Sequence, residues 1–473
     1  MLPTSTDVCT PSVVPDTRAS RPKLPRLRTL KTFNLPAQQV DEVLLSASTL
    51  LPTPTSEILD GHPLRILIAP SGFKESLGPE HVADAIEAGC RKVLDDRSVI
   101  IRKLPLHDGG EGFARALVAA HGGKIENATV KGPIGLPVDS HLGFVHDDKT
   151  AVLDMAAAAG LRLVPKDSRD PTVTTTYGVG ELIKKALDSG CTKIIIGCGD
   201  SGTSDGGAGM LQALGVRLLD SDGEELPKAD GGRGLSRLAK ICWCGIHPRL
   251  RKDAGKSLRS IYSNCSDKHP AEEIQIEAVC NIKNVLCGPR GVARVYGPQK
   301  GATSEQVDLL AAALDRFAQV AQVTLRRDIS NAPGSGASGG LGAGLMMLGA
   351  RLRARSDAIN EYFEFDRVFE KQWDFVITAE GSLDSQSTQG KMTTEVSRRA
   401  KRRGAQVVAL AGTIGEGADR CYGAGIKAFT SIMRGPLTLE EAIVQTENLV
   451  MDGAEKIVRM IMVGLALGNR NRR

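Results

Sequence analysis

The sequence predicts an α/β protein, and three observations carry that reading. Apolar β-runs such as RILIAP from Arg65, TKIIIGCG, FVITAEG and VVALAG each run into a glycine-bearing loop and then a helix, the order expected of a parallel sheet. Glycine supplies 52 of 473 residues without a collagen-like period, which points to many tight loops where backbone approaches something closely, often a phosphate. Hydrophobic residues at 41% and charged residues at 24% are ordinary for a globular chain that buries a large core.

At about 150 residues per domain the length suggests two or three domains. Residues 1–63 hold nine of the 23 prolines, with many Ser and Thr and little periodicity, and read as a largely disordered extension. The extension lacks the apolar core of a secretory signal. Its basic residues from Arg18 to Lys31 leave mitochondrial targeting open, but Asp7, Asp16 and poor amphipathicity argue against it, so a cytoplasmic location is expected. A net charge of +5, partly carried by Arg470, Arg472 and Arg473, and aromatics at 4% argue against nucleic acid as a partner. No stretch approaches the ~20 apolar residues of a membrane span. Ten cysteines are scattered, and the closest pair, Cys242 and Cys244, is C-x-C, not a C-x-x-C metal pattern. Cys90 and Cys198 fall in apolar stretches and read as reduced, buried thiols.

After RILIAP and the loop SGFKESLG, a helix is expected from about Pro79, with Val82, Ile86, Cys90 and Val93 on its buried face. SVIIRKLPL, HDGGEG and FARALVAAHGG repeat the same grammar. From Gly122 to Met155 the pattern changes to KIENATVKG, PVDSHLGFV and TAVLDMA, short β-runs that predict antiparallel strands in a different domain. A helix (TTTYGVGELIKKALDSG), a buried strand (TKIIIGCG), the loop GDSGTSDGG and the helix AGMLQALG follow. Residues 251–273 are polar and unperiodic, a surface insertion. Beyond IQIEAV and GPRGVARVYGPQKGA, Thr303 and Gln306 mark a helix start as a capping box, and GSGASGGLGAGL opens the next helix. The last helix is expected from Thr438, capped with Glu441, with Leu439, Ile443, Thr446, Val450 and Ile457 facing the core.

Four strand-end loops combine glycine with charge, at the edge where open α/β sheets bind ligands. They are Ser71-Gly72-Phe73-Lys74; Asp108-Gly109-Gly110-Glu111-Gly112; Gly197 to Gly207, with Asp200, Ser201, Thr203, Ser204 and Asp205; and Glu380-Gly381-Ser382-Leu383-Asp384 with Gly390-Lys391 beyond. Phosphoryl transfer needs such groups. Backbone N–H groups and lysines hold phosphates, one or two carboxylates hold Mg²⁺, and a further carboxylate positions the acceptor hydroxyl and takes its proton. Lys74 and Lys391 can supply positive charge; Asp108, Glu111, Asp205, Glu380 and Asp384 supply carboxylates. Two familiar motifs fail inspection. Gly381 to Lys391 ends in G-K but is too widely spaced for a Walker A loop and is followed by Met392. Gly334, Gly336 and Gly339 spell G-x-G-x-x-G with Asp357 downstream, but the preceding RRDISNAP is polar and proline-broken, so close packing or a phosphate contact is favoured over a dinucleotide.

Taken together, IAPSGFKESL, HDGGEG, TTTYGVGELI, GCGDSGTSDGGAGMLQALG, GPRGVARVYGPQKGA, GGLGAGL and TAEGSLDSQSTQGK, in that order, resemble the type-1 glycerate kinase family from about Leu64 almost to the C-terminus. The resemblance implies two α/β domains with the active site in the cleft between them. One is a Rossmann-like parallel-sheet domain from both ends of the chain, residues 64–105 and 300–473; the other is a mixed α/β domain inserted at 106–299. It also implies ATP and Mg²⁺, D-glycerate as acceptor, 2-phosphoglycerate as product, and a monomer or homodimer.

On this reading the catalytic candidates are Asp205, Asp108 and Lys74, with Asp205 or Asp108 serving the glycerate hydroxyl. Gly197, Gly199, Ser201, Thr203, Gly206, Gly207 and Lys391 would contact nucleotide phosphates; Gly109, Gly110 and Glu111 would contact substrate; Glu380 and Asp384 would bind Mg²⁺. The chain departs from the family where Ser71 and Gly72 replace aspartate and serine, Asp200 replaces glycine, Ala379 and Ser382 replace glycine and arginine, and Asn281 and Lys283 replace aspartates. Two other readings compete: an NAD(P)-dependent oxidoreductase, from the Gly334 motif, and a nucleotide-binding pseudokinase, from Ser71, Asp200 and Ser382.

Overall fold

A computed structural model describes residues 62–73, 76–107, 110–251, 274–385, 387–388 and 391–470. The proposed N-terminal extension and the insertion at 251–273 lie, apart from their edges, outside the described residues.

One sheet has five parallel strands in the order β13-β12-β11-β1-β2, comprising β1 (Leu64–Ile68), β2 (Val99–Lys103), β11 (Phe375–Leu383), β12 (Gln406–Ile414) and β13 (Ile426–Ser431). The two-residue period of a strand sends alternate side chains to opposite faces. Leu64, Ile66 and Ile68 of β1 therefore join one core with α1 (Pro79–Arg91) and α10 (Leu439–Arg470), while Leu67 joins another with α8 (Phe365–Glu370) and α9 (Met392–Arg402). The expected buried face of α1 is present, with Val82, Ile86 and Cys90 inaccessible to solvent.

The second sheet has six strands in the order β10-β9-β6-β5-β4-β3. β3 (Lys124–Lys131), β4 (Pro137–Val145) and β5 (Thr150–Asp154) are antiparallel neighbours, as the alternating runs predicted. β5, β6 (Lys193–Gly197), β9 (Gln275–Cys280) and β10 (Arg351–Ala354) are parallel. On one face lie α3 (Tyr177–Asp188), α4 (Ala208–Ala213), α5 (Ser304–Leu325) and α6 (Ala337–Met347). The other carries α2 (Phe113–His121) and α7 (Arg355–Phe363), whose Phe113, Leu117, Ala358 and Tyr362 pack on Val152, Ile195 and Val279. No helix among the described residues is long and apolar enough to cross a membrane.

Three expectations change here. The chain returns to the five-stranded sheet around α7 and Phe365, not at residue 300: α5, α6 and β10 pack on the six-stranded sheet, and α7 bridges the two, with Ala358 and Tyr362 on that sheet and Ile359 in the core with Phe365. Both capping boxes form, with Gln306 N donating to Thr303 Oγ1 at 3.3 Å and Glu441 N to Thr438 Oγ1 at 3.2 Å. Leu439, however, is 66% exposed; the buried stripe of α10 runs through Thr446, Leu449, Val450, Ala454, Ile457 and Val458. Finally, β10, β13 and the ribbon of β7 (Arg217–Leu219) and β8 (Lys240–Cys242) carry charged or short patterns that do not mark strands in sequence.

The five-stranded sheet depends on one close helix crossing. A Cβ on Gly89 of α1 would stand 2.2 Å from the Met451 carbonyl oxygen and 2.8 Å from Ala454 Cβ of α10. Alanine at an open helical position gains about 1 kcal/mol over glycine, but overpacking costs about 1–3 kcal/mol, so the clash decides the sign. Gly89→Ala is expected to lower the thermal midpoint, while Gly464→Ala, which meets nothing within 4 Å, leaves it unchanged or raises it. Equal shifts from the two substitutions would mean that α1 and α10 do not cross this closely.

Candidate functional site

In the five-stranded sheet the chain leaves β1 for α1 on one face, and leaves β11 for α9 on the other. Loops that diverge in this way open a crevice at the carboxyl ends of the two strands. Ser71 N and Ser71 Oγ both donate to the Ala379 carbonyl, at 2.9 and 3.0 Å, and Leu106 N donates to the Pro70 carbonyl at 2.9 Å. The loops after β1, β2 and β11 therefore stand side by side. Lys74, Asp108 and Gly109 lie outside the described residues; Phe73 and His107 precede them in the chain.

Beyond β11, Lys391 gathers the acidic residues of its loop. Its Nζ lies 3.1 Å from Glu380 Oε1 and 3.7 Å from Asp384 Oδ1, and donates to the Ser382 carbonyl at 3.0 Å and Ser387 Oγ at 3.2 Å. Thr393 Oγ1 donates to Glu380 Oε2 at 3.0 Å, and Ser382 Oγ to Asp384 Oδ2 at 3.3 Å. Glu380, Asp384 and Lys391 thus form one cluster of hard oxygen donors around an ammonium. Among the described residues no group of three or more His, Cys, Asp or Glu could hold a metal ion unaided. This donor set suits Mg²⁺, which takes one or two carboxylates together with phosphate oxygens.

The loop after β2 leads to the second sheet. His107 is buried, its Nε2 2.5 Å from Glu80 Oε1 on α1, and Gly112, at φ 89°, lies so close that a Cβ there would meet the His107 ring at 2.8 Å. The N-terminus of α2 is held by a residue the sequence reading missed. Asp154, fully buried at the end of β5, accepts from Gly112 N at 2.9 Å and Ala114 N at 2.7 Å. Burial raises its carboxyl to about 7, with the two backbone donors and the His107 charge opposing the shift and Glu111 adding to it. His141 Nε2 lies 3.9 Å away, but burial and nearby Arg115 push that imidazole down to about 4, so at neutral pH it brings no charge. Glu111 forms an ion pair with Arg162, and its N–H reaches Asp200 Oδ2 at 3.4 Å. Burial raises the Glu111 carboxyl, with Arg162 opposing and Asp200 assisting.

That last contact joins the HDGGEG loop to the GDSGTSDGG loop after β6. Asp200 has φ 49°, in the left-handed region where glycine is at ease, which explains physically why glycine suits this position. Asp205 departs from the catalytic role expected of it. It is 1% exposed and accepts from Thr176 N at 2.8 Å, Thr176 Oγ1 at 2.9 Å, Gly207 N at 3.0 Å and Gly209 N at 3.2 Å. Burial raises its carboxyl, and these donors pull it back. With both oxygens committed to α3, α4 and its own loop, Asp205 is an internal brace, in no position to reach a substrate hydroxyl.

Lys300, also missed, lies beneath the same loop. Its buried Nζ donates to Ser201 Oγ at 3.0 Å and to the Thr203 carbonyl at 2.5 Å; burial pushes it down to about 7 against the attraction of Asp205. Gly206 and Gly207 adopt φ 67° and 82°, and Gly207 packs on Gly344 of α6, where a Cβ would meet the Gly344 Cα at 3.1 Å. Their glycine character follows from backbone conformation and packing. Thr203 Oγ1 and Ser204 Oγ are buried and have no hydrogen-bond partner among the described residues. Gly197 ends β6 opposite Asp154, and Gly199 and Ser201 lead into the loop. The dinucleotide motif resolves into close packing: Cβ atoms on Gly336 and Gly339 would stand 2.1 Å from the Val285 carbonyl oxygen and 1.8 Å from that of Thr203, and no strand precedes the motif.

Lys300 could have been found in the block GPQKGA, and Asp154 is an acid at a strand end in TAVLDMA. Neither is flagged by the rule of glycine plus charge after a strand, since Asp154 has no glycine beside it and Lys300 follows no strand.

Known proteins match this chain along most of its length. The sequence model of the glycerate kinase family matches residues 66–462. The glycerate kinase of Bacillus subtilis (strain 168) is 42% identical over 380 residues, covering 80% of this chain and 93% of that protein. The glycerate 2-kinase of Escherichia coli (strain K12) is 39% identical over 409 residues, covering 86% and 100%. A crystal structure assigned as glycerate kinase 2 from Salmonella typhimurium LT2 superposes with a TM-score of 0.64 at 38% identity, covering 85% of this chain and 99% of that one. Matched along most of its length in sequence and in fold, the chain belongs to the glycerate kinase family.

Proposed function

We propose that this chain transfers the terminal phosphoryl group of ATP to D-glycerate, giving 2-phosphoglycerate and ADP. The observation that carries the reading is the continuity of the strand-end loops: those after β1, β2 and β11 are neighbours, and the β2 loop continues through Glu111 to Asp200 of the second sheet. The Escherichia coli relative is named a glycerate 2-kinase, which supports the 2-hydroxyl as acceptor.

Glu380 and Asp384 would hold Mg²⁺ arriving with ATP, which when bound neutralises charge on the transferred phosphoryl group. Lys391 fixes the geometry of those carboxylates, and Lys74 is assigned to the nucleotide phosphates. Because Asp205 is fully engaged inside the fold, Asp108 is the carboxylate assigned to the glycerate hydroxyl, with Gly109, Gly110 and Glu111 beside the substrate. Gly199 and Ser201 are the members of the β6 loop assigned to phosphate, with Lys300 and Asp205 bracing them from below. An oxidoreductase reading loses its basis, since the motif that suggested it is occupied by packing. The protein is read as soluble, cytoplasmic and acting on a small molecule.

Purified protein with Mg²⁺, ATP and D-glycerate is expected to release ADP in a glycerate-dependent way, with phosphorus NMR showing the phosphate on the 2-hydroxyl. ATP binding without turnover would instead identify a pseudokinase.

Asp205→Asn turns an amide N–H₂ toward backbone donors, and an unpaired buried donor costs about 1–3 kcal/mol. It is expected to lower stability and turnover together. A fully stable variant without activity would restore Asp205 as a direct participant.

Asp154 gives a pH test with a definite sign. Its folded value of about 7 lies above the ordinary ~3.9, so its contribution to stability is complete below ~4 and is lost as pH rises through 7. Between pH 5 and 8 the native protein should lose on the order of 3 kcal/mol more stability than Asp154→Asn. An equal loss of stability in the two proteins between these pH values, read from denaturant titrations, would mean that Asp154 is ionised throughout.

A further inference from the structure

Six cysteines among the described residues, Cys90, Cys191, Cys198, Cys280, Cys287 and Cys421, are buried, and burial raises each of their thiols. Cys242 and Cys244 differ. Cys242 is half-buried at the end of β8 and Cys244 is exposed. Between them Trp243 is buried, and its carbonyl accepts from Ile246 N at 3.0 Å, so the strand ends there in a turn. With Trp243 turned inward, the two thiols flank it on the accessible side, their sulfurs 2.6 Å apart. Arg217 is the cross-strand partner of Cys242 in the β7–β8 ribbon and therefore shares its face. It also donates to Glu225 at 2.9 Å.

We propose that Cys242 and Cys244 form a thiol–disulfide exchange site that reacts with small-molecule disulfides and closes to an intramolecular Cys242–Cys244 bond. Cys244 is the attacking thiol. A hydrogen bond from Cys242 and the Arg217 guanidinium favour its thiolate, while burial holds Cys242 in the protonated form. The Cys244 thiolate attacks one sulfur of the small disulfide, the S–S bond breaks, and one small thiolate leaves and takes up the Cys244 proton. Cys242 then loses its proton to water and attacks Cys244 Sγ, expelling the second small thiolate, which takes up that proton from water. The sum is one protein dithiol and one small disulfide converted to one protein disulfide and two small thiols. No other oxidant is required. A bond between residues two apart closes a small ring, and strained, exposed disulfides are the readily reduced ones, so the reaction is reversible by the same class of thiol.

Trypsin isolates the pair, because Ile241 to Arg249 lies between Lys240 and Leu250 and contains no other cysteine. The full-length protein is equilibrated with graded ratios of oxidised to reduced glutathione, quenched with an alkylating agent and digested. The expected result is a peptide that passes from doubly alkylated to a form two hydrogens lighter than the unmodified peptide, and that returns when reduced glutathione is restored. In Cys242→Ser the reaction should stop at a glutathione adduct on Cys244, and in Arg217→Gln alkylation of Cys244 at pH 7 should slow several-fold. A peptide that remains doubly alkylated at every ratio overturns the proposal. So does pairing of Cys244 with a cysteine outside the peptide, or an adduct in Cys242→Ser that forms at a buried cysteine in preference to Cys244.

Discussion

The site rests on carboxylates buried where a chain end of secondary structure must be held. Asp205 accepts from Thr176, Gly207 and Gly209, and so ties the starts of α3 and α4 to the loop between β6 and α4. Asp154 does the same for α2 from the end of β5. Helix starts leave backbone N–H groups without intrahelical partners, and a carboxylate that takes two or more of them fixes both the helix and the loop that precedes it. A glycine-rich loop has little side-chain bulk with which to order itself, so Asp205 ties GDSGTSDGG to its neighbours from within, and Asp154 holds Gly112 and Ala114 from the neighbouring strand.

Glycine allows the elements to approach closely enough for that to work. Gly339 brings α6 onto the Thr203 carbonyl, the same carbonyl that accepts from Lys300. Gly112 lets the backbone pass against the His107 ring. Side chains at these positions would separate the layers and leave the buried ionisable groups short of partners, and an unpaired buried charge is far more costly than a lost contact. Packing density and electrostatics at the site are therefore one constraint, imposed from two sides.

Much of this could be read from the sequence. Strand-loop-helix repetition gave the parallel sheet, alternation gave the antiparallel strands, and the capping boxes at Thr303 and Thr438 gave two helix starts, because each is a local pattern with a local cause. What could not be read is non-local. Whether α5 and α6 pack on one sheet or the other depends on surfaces far apart in the chain, so the return to the five-stranded sheet at Phe365 left no mark near residue 300. Likewise Asp205 read as a loop acid able to serve a substrate, since nothing adjacent to it announces that Thr176, on another element, will occupy it. Lys300 was hidden for the converse reason: a lysine in the loop sequence GPQKGA looks solvated, and only the fold places it under Ser201 and Thr203.

Burial has opposite effects on two of the ionisable groups beneath the loops. It raises the Asp154 acid and lowers the Lys300 base, each to about 7, because removal from water disfavours whichever form is charged. The interior beneath the loops thus carries its charges weakly near neutral pH. By contrast Glu380, Asp384 and Lys391 are partly exposed and sit within reach of one another, open to water. On the proposed function, a phosphate ligand that carries its own charge and brings its own cation would meet groups able to exchange partners without being stripped from water. The division follows from depth alone: acids and bases that must hold backbone are placed deep, and those that must release one partner to take another are left at the rim.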